Sequence, residues 1–92
     1  MNGTTILFNP GSIVCTPGAL RALTLAQTSA QALIDRHVRG DFGEVDEEDQ
    51  VRNLAAIEGN RRVLSSYSLP TVVWVITEAD RSATTLLLPS EY

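Results

Sequence analysis

The sequence predicts an α+β domain of two layers. It reads as one N-terminal strand, two to three helices, and then a three-stranded antiparallel meander. Three observations carry that expectation. The first is Thr71–Pro89, which reads as a β-hairpin. Val72, Val73, Val75 and Ile76 are β-branched, and among them lies Trp74, the only tryptophan; such side chains suit a pleated, packed surface. Apolar residues fall on both parities, as in a central strand covered on both faces. Ala79-Asp80-Arg81-Ser82 supplies a polar turn, and Thr84–Leu88 returns antiparallel. The second observation is a set of helix start and stop signals in the first two thirds of the chain. The third is size: 92 residues, 43% hydrophobic and 20% charged, make a single small domain spanning residues 1–92.

Taken in order, Thr4–Phe8 is the N-terminal strand candidate, and Asn9-Pro10-Gly11 ends it. Ser12–Cys15 extends again briefly. Thr16 and Pro17 mark a helix start, with Thr16 as N-cap and Pro17 in the first turn, where its missing N–H is harmless. Leu20 and Leu23 share a face of that helix. A second helix is expected from Thr28, where Thr28 and Gln31 have the spacing of a capping box. Leu33, Ile34 and Val38 form its apolar stripe, His37 sits on the same stripe, and Gly40 is the stop. The acidic run Asp46-Glu47-Glu48-Asp49 opens a third helix, where negative charge meets the positive end of the dipole. Val51, Leu54 and Ala55 are its predicted buried stripe. Gly59-Asn60 ends it, Arg61–Ser68 is a strand, Leu69-Pro70 connects it to the hairpin, and Pro89 stops the last strand. Hairpin-linked strands are antiparallel, and helices are expected over one face of the sheet.

Charge and composition bound the function. A net charge of -4 argues against free nucleic-acid binding, which calls for a basic surface. Cys15 is the only cysteine, so no internal disulfide forms, and Cys15 reads as a buried structural thiol. No apolar run approaches the ~20 residues of a membrane span. The N-terminus lacks the basic segment and apolar core of a signal peptide. A cytoplasmic setting without membrane association is the expectation. Neither G-x-x-x-x-G-K-[ST] nor G-x-G-x-x-G occurs, so no nucleotide cofactor is expected. The acids Asp41, Glu44, Asp46, Glu47, Glu48 and Asp49 lack the spacing of a calcium loop. One cysteine and one histidine cannot build a zinc site, so no metal is expected either.

Two groups of residues are candidates for chemistry. His37 is the only histidine, and Asp41 follows just past the helix end. A carboxylate there would orient the imidazole and raise its pKa. The structural alternative is a latch in which His37, Asp41 and the Gly40–Gly43 loop close the helix. In either case His37 is expected to be partly protonated near neutral pH. The second group is Arg61, Arg62 and Arg81, with Tyr67, Ser65 and Thr77 expected on the sheet surface between them. Arginine, tyrosine and hydroxyl groups together suit a phosphodiester; the structural alternative is a solvated sheet edge. Asp80 and Ser82 read as turn-forming residues. In that structural reading Asp80 bonds the turn's N–H groups, Arg81 points outward and Ser82 caps the returning strand; a partner-binding turn tip is the sharper alternative. The candidate binding set is Tyr67, Asp80, Arg81, Ser82, His37 and Asp41.

Several stretches resemble a family of small uncharacterised proteins of bacteria and their plasmids. They are Phe8-Asn9-Pro10-Gly11-Ser12-Ile13-Val14, Thr16-Pro17-Gly18-Ala19-Leu20, Arg36-His37 with Gly40-Asp41 and Gly43, Glu48-Asp49 with Asn53, Ser65 and Tyr67, Trp74-Val75-Ile76-Thr77 with Asp80-Arg81-Ser82, Thr84-Thr85, Leu88-Pro89 and Glu91-Tyr92. Members carry loose labels such as type I restriction endonuclease subunit M or plasmid-related protein. A methyltransferase needs a large doubly wound domain and an Asn-Pro-Pro-aromatic motif. Here Asn9-Pro10 is followed by Gly11-Ser12. The resemblance therefore implies an accessory to such a system rather than the enzyme.

The leading expectation is a non-enzymatic interaction module with a protein partner, associated with plasmid or phage-related DNA metabolism or defence. The alternative is a metal-independent, toxin-like ribonuclease, on the analogy of element order with small bacterial mRNA-cleaving toxins. In that version His37 or Glu78 moves the proton, and Arg61, Arg62 and Arg81 neutralise phosphate.

Overall fold

The hairpin expected from Thr71–Pro89 is the centre of the sheet. A computed structural model describes residues 5–92. In chain order the elements are β1 (Ser12–Cys15), α1 (Pro17–Leu25), α2 (Ala30–Val38), α3 (Glu47–Glu58), β2 (Val63–Ser68), β3 (Val72–Thr77) and β4 (Ala83–Leu87), closed by a 3₁₀ turn at Pro89–Glu91. β2, β3 and β4 form the expected antiparallel meander. The sheet is nevertheless four-stranded, in the order β1-β4-β3-β2, because β1 pairs parallel with β4.

The N-terminal strand is thus Ser12–Cys15 and not Thr4–Phe8. Thr4 lies outside the described residues, and residues 5–8 form no strand. The backbone of that segment is used elsewhere: Leu7 N–H donates to Val38 C=O at 2.8 Å, across the end of α2. Phe8 is buried against the ring of His37.

Helix starts follow the side-chain oxygens. The Thr16 hydroxyl accepts from Ala19 N–H, as its place before Pro17 predicts. α2 is capped by Ser29, whose hydroxyl accepts from Ala32 N–H, so the Thr28–Gln31 box does not form. Gln31 instead donates to Asp35. Asp46 caps α3. Gly40, at φ +89°, turns the chain out of α2, and Asp41 N–H closes back onto Arg36 C=O.

Helix side chains and one face of the sheet make a single core. Ala19, Ala22 and Leu23 of α1 and Leu33, Ile34 and Val38 of α2 pack with Val63, Tyr67, Val73, Val75 and Leu86. The strand members share one parity, and cross-strand pairing puts Ser65 and Leu86 opposite Val75. Leu20 is exposed, and Ala19 and Ala22 take the buried positions beside Leu23.

α3 departs most from its predicted stripe. Val51, Leu54 and Ala55 are exposed, while Asn53 and Ala56 are buried. The reason is that α3 lies along the outer edge of β2. The Asn53 carboxamide donates to Leu64 C=O at 2.8 Å and accepts from Leu64 N–H at 3.1 Å. Two residues along the same edge, Ser66 N–H donates to Phe42 C=O, and Glu44 N–H donates to Ser66 C=O. Gly43 sits between them at φ +72°, where a side chain would run into Ser66 C=O. The β2 edge is therefore closed by a side chain and a loop.

Among the described residues no α-helix covers the second face of the sheet. Ile76 and Leu87 are buried there, Trp74 is half-buried, and the 3₁₀ turn with Tyr92 reaches over β3.

Candidate functional site

His37 is fully buried, and both ring nitrogens are taken. Nδ1 lies 2.6 Å from the Ser65 hydroxyl and Nε2 lies 2.8 Å from the Thr77 hydroxyl. The directions follow from the far end of this chain of bonds. Thr84 donates to Pro10 C=O at 2.6 Å, which uses its only hydrogen. Thr77 must then donate to Thr84, 2.6 Å away. Thr77 is left as acceptor toward His37, so the neutral imidazole carries its proton on Nε2 and Ser65 donates to Nδ1. The line Ser65–His37–Thr77–Thr84–Pro10 ties β2, α2, β3, β4 and the N-terminal segment together. Burial, seconded by the Arg81 charge, pushes the imidazole pKa down to about 4. This reverses the expected raised pKa and removes the charged latch.

Asp41 is not a partner of His37. It makes a two-pronged pair with Arg36, at 2.7 and 3.2 Å, and also accepts from Gly43 N–H. The Arg36 bond holds the Asp41 carboxyl below its usual range. The Arg36 guanidinium stacks on Tyr67 at 4.5 Å. Tyr67 itself is buried, donates to Asp41 C=O at 2.7 Å, and has its pKa pushed by burial up to about 12. Arg36, Asp41 and Tyr67 thus close the loop after α2, and the expected His37–Asp41 latch does not form.

Arg81 does not point outward. It occupies a left-handed turn position, φ +62°, and its guanidinium turns in over the end of α3. It donates to the carbonyls of Ala56, Arg61, Glu78 and Ala79 at 2.8–3.2 Å. Carbonyls at a helix C-terminus carry partial negative charge, so this is a cationic cap. Phe8 stands between Arg81 and His37: the guanidinium lies 5.5 Å from its ring and the imidazole packs on its edge at 5.2 Å. His37 and Arg81 are neighbours, but through an aromatic ring. Asp80 accepts from Ser82 N–H within the turn, and both are exposed.

The three arginines do not converge. Arg61 offers its carbonyl to Arg81, whereas Arg62 reaches the second face of the sheet. There Arg62 donates to the Tyr92 hydroxyl at 2.9 Å, lies 5.6 Å above its ring, and approaches Glu78 at 3.7 Å. Tyr92, 69% exposed, packs edge-on against Trp74 at 5.8 Å. Beside this corner a cleft of about 360 Å³ is lined by Asp49, Arg52, Asn53, Arg62, Leu64 and Trp74. The corner joins an arginine and two aromatic rings at the surface. Such groups supply large contact area with polar handles at low ordering cost.

Trp74, Tyr92 and Arg52 were absent from the predicted set. Parity was the available signal: Arg62, Leu64, Trp74 and Ile76 alternate with the core positions and face away from the helices. Tyr92 had no such signal, since the 3₁₀ turn brings it over β3. Among the described residues no three metal-ligating side chains cluster, and no helix is long and apolar enough to cross a membrane. Comparison with protein families, curated proteins and solved structures gives no match.

Proposed function

We propose that this protein is a non-enzymatic interaction module that docks a protein partner on the open face of its sheet, at the Arg62–Trp74–Tyr92 corner. The observation that carries the reading is that Tyr92 touches both Arg62 and Trp74 at the surface. Tryptophan, tyrosine and arginine are the residues on which interface energy concentrates. The role as an accessory in plasmid or phage-related DNA metabolism or defence rests on the sequence resemblance. The test is capture from the host with wild type, Trp74→Ser and Arg62→Glu as baits. A specific protein retained by wild type and lost with both variants supports the corner. A partner lost equally with Asp80→Ala moves the site to the turn, and the absence of any specific partner counts against the module.

The ribonuclease alternative keeps Glu78 beside Arg62 at the surface, while His37 is sealed and the Arg81 donors are spent on carbonyls. RNA cleavage by wild type that disappears in Glu78→Gln would favour it.

A further inference from the structure

The two edges of the sheet are treated differently. The β2 edge is closed by Asn53 and the Phe42–Glu44 loop. β1 is the other edge. Ser12 N–H and Thr16 N–H donate inward, to Ser82 C=O and Leu86 C=O of the β4 side. Alternation along a parallel strand then turns the N–H and C=O of Ile13 and Cys15 outward. Among the described residues no turn or loop bond reaches them. The side chains beside them are apolar and open, Ile13 at 42% and Val14 at 48%. Exposed edges are ordinarily blunted by charge, proline or a bulge. Ser12-Ile13-Val14-Cys15 has no charged residue and no proline.

We propose that β1 pairs antiparallel with β1 of a second copy of this chain, joining the two sheets across a twofold axis at Val14. The register follows from which groups face outward. Ile13 of one copy and Cys15 of the other, both with outward backbone groups, exchange N–H and C=O. Symmetry repeats the pair, giving about four hydrogen bonds. Val14 meets Val14 on the open face, as a close non-hydrogen-bonded pair. Ile13, which is open, meets Cys15, half-buried against the core, on the helix face. A second copy suits this edge for two reasons. Each chain has a net charge of -4, yet the seam itself is uncharged, so self-pairing opposes no like charges. With β2 closed, the described residues of each chain leave one open edge, so assembly stops at a dimer and does not run on into a fibre. The proposal does not rest on the Arg62–Trp74–Tyr92 corner.

The interface is small, so the dimer is expected to be concentration-dependent, and sedimentation is to be followed up to on the order of 1 mM. Wild type should move from 10.0 kDa toward twice that mass. Val14→Lys, which places two ammonium groups face to face, should stay at one chain's mass with unchanged circular dichroism. Val14→Cys in a Cys15→Ser background should form an interchain disulfide under mild oxidation, because the paired Cα atoms are about 4.5 Å apart. A wild type that remains monomeric throughout leaves the edge to a strand of some other protein and overturns the proposal. So does a dimer that persists in Val14→Lys or that fails to crosslink through Val14→Cys.

Discussion

Asn53 occupies the place of a fifth strand: its carboxamide makes both backbone hydrogen bonds of Leu64 that a neighbouring strand would make. A buried polar residue on a helix is thereby turned into a sheet-edge cap. Replacing Asn53 by Leu removes both bonds and leaves the Leu64 amide and carbonyl without partners, a loss of about 2 kcal/mol. Urea denaturation should show a lower midpoint at unchanged slope. An unchanged midpoint would mean that water replaces the carboxamide at no cost.

The His37 network sets a pH dependence of definite sign. Its folded pKa of about 4 lies below the ~6.5 of an unfolded histidine. Between those values the unfolded chain binds more protons, so stability rises with pH across the window and is fully present above it. The full span is on the order of 3 kcal/mol for this buried group. Wild type should therefore lose melting temperature steadily from pH 7 to pH 4.5, and His37→Gln should flatten that slope while lowering the value at pH 7. Parallel curves for the two proteins would refute a neutral buried imidazole.

Arg81 combines two roles that substitution can separate. Arg81→Ala loses the cap on α3 and keeps a side chain in the left-handed region, at a cost of about 2 kcal/mol from the charged hydrogen bonds. Arg81→Gly loses the same bonds but relieves the backbone, recovering about 1 kcal/mol. Thermal melts should therefore rank wild type above Arg81→Gly, and Arg81→Gly above Arg81→Ala. Equal melting points for Arg81→Ala and wild type would show that the carbonyls do not need the guanidinium.

Glu91 fastens the end of the described chain to the start of α1. Its carboxylate accepts from the Thr16 hydroxyl at 2.5 Å, Gly18 N–H at 3.1 Å and Leu88 N–H at 2.8 Å. The Thr16 bond, first among these, holds its pKa below the usual range. This contribution is present above the unfolded pKa and fades as pH falls through the folded one. Glu91→Gln should lower the melting point at pH 7 and converge with wild type at low pH. It should also quicken amide exchange at Gly18. Unchanged exchange there would place the fastening elsewhere.

Much of the fold was legible in the chain because local rules govern it. β-branched runs around Trp74, the polar turn at Asp80, the Thr16-Pro17 start and the Gly40 stop each specify backbone conformation within a few residues. They determined the α+β class, two to three helices and the meander. The site was less legible. His37, Tyr67 and Arg81 are residue types that bind and catalyse, and only their tertiary neighbours show that they are spent on Ser65 and Thr77, on Asp41, and on the carbonyls of α3. Asn53 could not be read as an edge cap from helix periodicity, because its partner is a strand backbone eleven residues away. The parallel addition of Ser12–Cys15 to β4, and the meeting of Arg62 with Tyr92, were also decided by tertiary structure. The physical reason is that backbone propensity and alternation act over short windows, whereas an unpaired edge or a buried hydroxyl takes whichever partner the packed chain brings within reach.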